Sequence, residues 1–221
     1  MNAKNPGRLW CRRRKSMSNK KAMKTMTAIL QPFRFSLYAL PFLLLPSVAQ
    51  AHPGHGAATG LASGLAHPLL GLDHLCAMIA VGLWSAQRGG RALWAVPLAF
   101  VAAMAMGATA ATGGHAIPFA EQGIAASVLI LGILIAAAIR LPLAASVLLV
   151  GAFALFHGFA HGAEIPANVS GLAYGAGMLA TTVGLLPVGI AAGSSAKKIA
   201  KEELVCRCGW VFAACGLYFA V

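Results

Sequence analysis

From residue 67 onward the chain is a succession of apolar stretches, each near the length that crosses about 30 Å of hydrocarbon. They fall at 67–87, 92–112, 120–139, 141–163, 167–193 and 205–221, separated by RGGR, GGHAIPF, RLP, EIPAN and SSAKKIAKEE. Few folds are open to such a chain. Inside a bilayer the backbone must satisfy its own hydrogen bonds, so each run becomes a helix packed beside others. The expected fold is all-α, a polytopic bundle of about six transmembrane helices over 67–221, with no room for a soluble domain. Composition agrees: 59% of the residues are hydrophobic and 10% charged, against about 25% charged in water-soluble domains.

The formal charge of +12 suggests a nucleic-acid binder until its location is considered. Residues 1–51 hold 10 of the 17 Lys and Arg and no acid; the remainder has 7 basic and 5 acidic residues, a balance of +2. The basicity belongs to a leader, and no nucleic-acid partner follows from it. Lys20, Lys21, Lys24 and Arg34 precede the apolar core FSLYALPFLLLP and the small-residue site Ala49 to Ala51, the pattern of a cleavable signal peptide. Cleavage after Ala51 exposes HPGHG at the head of a His-containing segment, 52–66. The alternative is an uncleaved anchor helix. The stretch before the core is long, and a start at Met17, Met23 or Met26 would give a leader of ordinary length. The five cysteines lie in the leader, in apolar segments or near a helix end, so they read as small packing residues rather than a disulfide framework.

Orientation follows twice over. Signal cleavage leaves the mature N-terminus in the periplasm of a bacterial inner membrane. The loops at 88–91, 140–142 and 194–204, with Arg88, Arg91, Arg140, Lys197, Lys198 and Lys201, then face the cytoplasm. The outer loops carry no Lys or Arg, as the positive-inside rule requires. Gly158 and Gly162, and Gly171 and Gly175, are spaced for close helix contact. The third segment, IAASVLILGILIAAAI, has almost no polar content and is expected to face lipid. Three crossings in each half, each opening on a helix with His and acid, allow an inverted repeat.

On this topology all seven histidines fall in the outer half. In HPLLGLDH, His67 and His74 are seven residues apart, on one side of a helix and about 10 Å apart along its axis, with Asp73 beside His74 and Pro68 in the first turn. In FHGFAHGAE, His157, His161 and Glu164 stand at i, i+4 and i+7 on one stripe. If the two helices adjoin, Asp73, His74 and His157 meet at one depth, with His67, His161 and Glu164 above and the thioethers of Met78 and Met178 further in. His52 and His55 offer a capture point outside. Imidazole with carboxylate suits Ni²⁺, Zn²⁺, Co²⁺ and Cu²⁺, and the nitrogen-rich, sulfur-poor set leans towards nickel or cobalt. Any one of these histidines could simply bridge two helices, but six ionisable groups on matching stripes mark a functional site, because such groups are costly in hydrocarbon.

These two motifs, with the leader that ends before HPGHG, resemble those of the HupE/UreJ family of hydrogenase and urease accessory membrane proteins. The likeness covers essentially the whole chain after the leader; the long basic extension and Cys76 depart from it. It implies a nickel permease, with some relatives linked to cobalt, in which His67, Asp73, His74, His157, His161 and Glu164 mediate metal passage. The expected protein is therefore a secondary transporter rather than an enzyme, with no permanently bound cofactor. Its expected partners are a divalent transition-metal ion and the lipid bilayer, with homo-oligomer formation left open. Two rivals stand beside this: a metal-holding accessory protein that does not transport, and a membrane electron carrier with haem held between His74 and His157.

Overall fold

A computed structural model describes residues 60–115, 117–166, 169–198 and 202–221. The leader, His52 and His55 lie outside the described residues. Seven helices and no strand occur among the described residues: α1 Gly60–Leu70, α2 Leu72–Arg88, α3 Ala92–Thr112, α4 Ala120–Ala136, α5 Leu143–Ala163, α6 Gly171–Lys198 and α7 Glu202–Phe219. Helices α3, α5 and α6 are long and apolar enough to cross a membrane, and the bent pair α1–α2 passes the same test when taken as one span. The protein is an all-α membrane protein. Helix α4 has only 17 residues, and α7 opens on two glutamates and carries Arg207.

The first apolar segment departs from the single straight helix expected over 67–87. Helix formation begins earlier, at Gly60, inside the segment assigned to the N-terminal arm, and the chain breaks at Gly71, where α2 leaves α1 at 76°. Pro68 therefore sits in the last turn of α1 and not in a first turn. Proline has no N–H to give the preceding turn and its ring crowds the carbonyl four residues back, so the helix ends soon afterwards. Helix α2 then restarts with Asp73 in its first turn, where a carboxylate favours the exposed N–H groups.

Helices pack by direct backbone contact at glycines. A Cβ on Gly158 would lie 2.1 Å from the Met104 carbonyl oxygen, and one on Gly107 2.5 Å from that of Leu155, which seats α5 against α3. Gly82 and Gly189 do the same between α2 and α6, and Gly132 and Gly209 between α4 and α7. Close approach of this kind replaces the hydrophobic driving force that lipid does not provide. The contacts run in parallel for α2 with α6 and for α3 with α5, and antiparallel for α4 with α7. Exchanging the two halves of the chain maps the first pair onto the second and the third onto itself, the pattern of an inverted two-fold. Of the two glycine pairs singled out in the sequence, only Gly158/Gly162 makes such contacts. Gly175 faces open space, and Gly171 has only ordinary contact with Ile165. Helix α6 approaches α1 through Gly177 instead.

The third apolar segment faces outward only in part, with Ile130 and Ile133 exposed. In α4, Ile124, Ala125, Ser127, Val128, Leu131 and Ile135 are all buried, and the helix packs on α2, α5 and α7. Gly123 admits the Phe156 ring from α5 and Gly132 admits the α7 backbone. A uniformly apolar helix is suited to a protein core as well as to lipid, and composition cannot separate the two.

Candidate metal site

The break at Gly71 decides the geometry. With α1 and α2 as one straight rod, His67 would stand well clear of His74; the bend brings their ring centroids to 5.8 Å. His161, from the last turn of α5, fits against both, at 4.8 Å from His67 and 4.3 Å from His74. One ring nitrogen from each of His67, His74 and His161 can be chosen so that all three lie within 4.8 Å of one another. Three nitrogens at about 2.1 Å from one ion would be about 3.0–3.6 Å apart. An inward shift of about 1 Å in their spacing therefore closes the set.

Carboxylates hold the outer two histidines. The His67 Nε2 lies 3.0 Å from Glu164 Oε2, and this pair is the more exposed part of the cluster. The Asp73 Oδ1 accepts both the His74 backbone N–H at 2.8 Å and the His74 Nδ1–H at 2.7 Å. That bond fixes the imidazole with Nε2 as its lone-pair atom. Gly71 lies against this pair: a Cβ there would be 3.0 Å from Asp73 Oδ1 and 3.1 Å from His74 Nδ1. The residue before α2 is thus small because the hydrogen-bonded Asp73–His74 pair folds back over it.

His157 lies deeper, 5.1 Å from His74 between centroids. It is fully buried, as are His161 and nearly so His74. His74 therefore touches both levels expected from the sequence, and the upper and lower groups merge into one cluster. Its buried nitrogens stand out. His74 Nε2, His157 Nδ1 and both nitrogens of His161 have no hydrogen-bond partner among the described residues. A buried polar atom without a partner costs about 1–3 kcal/mol, and since a neutral imidazole keeps one lone pair, the rings of His74, His157 and His161 offer a cation one nitrogen donor apiece. The rings of His74 and His157 meet edge to face at 87°.

Beneath the histidines the interior is closed by apolar side chains. Phe100 lies 5.7 Å from His157, and Met78, Met104 and Met178 are buried in the same core. The Thr182 hydroxyl donates to the Met178 carbonyl and touches Met104 Sδ at 3.8 Å. Tyr174, 5.9 Å from His67, forms the α6 wall. Sequence reasoning missed Phe100, Ser127, Tyr174 and Thr182, because each is one unremarkable residue in an apolar run. It brought His67, Asp73, His74, His157, His161 and Glu164 forward, and all six are in contact here. His115 is exposed in the loop after α3, apart from them.

A family model described as HupE / UreJ protein matches residues 40–219. Protein HupE of Rhizobium leguminosarum bv. viciae is 46% identical over 151 residues, which cover 68% of this chain and 78% of that protein. No solved structure matches.

Proposed function

The chain belongs to the HupE / UreJ family, and from that premise we propose that it imports Ni²⁺, or Co²⁺, across the bacterial inner membrane without ATP. The observation that carries this reading is the meeting of His67, His74 and His161, from three helices, within 4.8 Å. The metal is the cargo. It is captured by His52 and His55 on the N-terminal segment, loses water between His67 and Glu164, and passes to His74, His161 and His157. Conduction needs a site that is favourable to enter and still permits exit. Neutral imidazoles with two carboxylates at the rim meet that need better than a closed cage of thiolates. The client is a nickel enzyme, a hydrogenase or urease, in keeping with the family.

Six crossings complete the bundle on this reading, with α1–α2 as one broken span and α4 and α7 as the short ones. Broken helices are tolerated at membrane depth where they line a cavity, and the break at Gly71 lies beside the cluster. The mature N-terminus and the histidines face the periplasm, and Arg88, Arg91 and Arg140 face the cytoplasm. No ATP is needed to drive entry. A divalent cation gains about 4.6 kcal/mol per 100 mV on moving inward, at roughly 2.3 per charge, enough for about three decades of accumulation.

Proteoliposomes containing this protein alone, with an inside-negative potential, should take up ⁶³Ni²⁺ at a rate that saturates with metal. Competition by Co²⁺, Zn²⁺ and Cu²⁺ then ranks the cargo. Metal bound to the protein with none entering the lumen would replace transport with the accessory role of holding an ion for a partner.

A further inference from the structure

Ser127 has no part in the reading above, yet its hydroxyl sits against the deepest histidine. It lies on α4, fully buried. Its Oγ is 2.6 Å from the Ile124 carbonyl oxygen and 3.0 Å from His157 Nε2. A serine hydroxyl has one proton and two lone pairs. The shorter contact is to a carbonyl, which can only accept, so the Ser127 proton goes there. The longer contact must then be an N–H of His157 donating to Ser127 Oγ. That places the ring proton on Nε2 and leaves Nδ1 as a bare lone pair. Nδ1 is buried and without a hydrogen-bond partner among the described residues.

We propose that Ser127 is a positioning residue that fixes the His157 tautomer and so makes Nδ1 a nitrogen donor on the metal path. This deepens the transport reading and rests on it. Asp73 does the same for His74 with the opposite choice of nitrogen: it takes the proton at Nδ1 and leaves Nε2 unpartnered. The two rings are 5.1 Å apart, and one hydroxyl and one carboxylate, on different helices, each prepare one lone pair along the proposed path. A neutral hydroxyl suits the deeper position. A second carboxylate there would bind the cation too tightly for release, whereas serine orients the ring without adding charge. Phe100, packed at 5.7 Å, limits rotation of the ring on its other side.

The test joins a spectrum to a flux. Protein labelled with ¹⁵N-histidine, purified with chelator and assigned through His157→Gln, should show His157 protonated at Nε2 and bare at Nδ1. Ser127→Ala should lose that fixed tautomer and slow ⁶³Ni²⁺ uptake by about 10–100-fold, the usual loss when a ligand's hydrogen-bonded partner is removed. Ser127→Thr, which keeps the hydroxyl, should restore both. A purely structural serine would change neither the tautomer nor its rescue. A His157 proton on Nδ1 in the wild-type protein would overturn the proposal, and so would a Ser127→Ala variant with unchanged spectrum and uptake. The wild-type spectrum decides even where Ser127→Ala fails to fold. Wild-type liposomes that admit no nickel would instead remove the transport reading and leave the tautomer result standing.

Discussion

Helix α2 ends in polar residues on both sides, and they are treated in opposite ways. At its first turn, Asp73 and His74 face other titratable side chains, and the His74 Nε2 has no hydrogen-bond partner among the described residues. At its last turns the donors meet protein acceptors. Trp84 Nε1–H donates to the Ile139 carbonyl at 3.2 Å and Gln87 Nε2–H to that of Ile135 at 3.1 Å. Arg88 donates to the Ser146 hydroxyl on α5 and lies 5.3 Å over the Trp84 ring. Arg140 reaches the Gln87 carbonyl, although Gln87 Oε1 and Arg88 Nε have no hydrogen-bond partner among the described residues. Helix α5 shares the contrast, with Ser146 near one end and His157 and His161 near the other. One end of the bundle is cationic, with its donors on backbone carbonyls and the Ser146 hydroxyl, and the other gathers histidine nitrogens of which several have no hydrogen-bond partner among the described residues. On the transport reading proposed above, a divalent ion is attracted to the histidine end and repelled from the cationic one.

The strongest way to break this contrast is at the lone pairs. His74→Ala and His161→Ala should each reduce ⁶³Ni²⁺ uptake by at least about 100-fold, beyond the loss expected from removing a ligand's partner, while the purified protein keeps its helical circular dichroism. Asp73→Asn is milder. It keeps an oxygen beside His74 but removes the charge, and a fall of about 10–100-fold in metal affinity is expected by equilibrium dialysis.

The frame beneath the histidines can be tested by comparing two glycines. Gly158→Ala pushes a Cβ into the Met104 carbonyl and should destabilise the bundle by about 1–3 kcal/mol, read as thermal unfolding in detergent. Gly175→Ala meets nothing within 4 Å and should change stability by less than about 1 kcal/mol, with a gain from helix propensity as the expected sign. Equal losses at both positions would remove the backbone-contact account of α3 and α5.

At the other end the sign reverses. Arg88 lies about 21 Å along α2 from His74, where a unit charge and a divalent ion interact by about 1.6 kcal/mol at an effective dielectric constant of 20. Arg88→Gln should therefore tighten metal binding by up to about tenfold. Weakened binding in that variant would mean that Arg88 supports the cluster through structure and not through charge.

The helical bundle and the membership of the cluster were legible because both rest on local pattern. Apolar runs of bilayer length announce helices, and histidines with acids are conspicuous in such runs. The geometry was not legible, for reasons visible in single residues. His67 and His74 were read on one rod because periodicity assumes a straight helix, whereas Pro68 and Gly71 end one helix and start another. Ser127 was passed over because a lone hydroxyl in IAASVLILGILIAAAI looks like filler; its role depends on His157 arriving from 30 residues away. Gly171 and Gly175 had the right spacing and no helix opposite, since spacing reports which face a residue occupies and not what lies across from it.

Helix α1 carries a consequence of its own. Leu61, Leu65, Leu69 and Leu70 are all exposed along it, while the same short rod supplies His67 to the cluster. One donor is thus mounted on a segment with an exposed apolar outer surface, and the remaining donors are mounted on the packed interior. Fractions of a kcal/mol per Å are at stake when a bilayer and a protein differ in thickness. On the transport reading proposed above, bilayer thickness acts on the distance between His67 and its neighbours, and ion binding should differ between a thin membrane and a thick one.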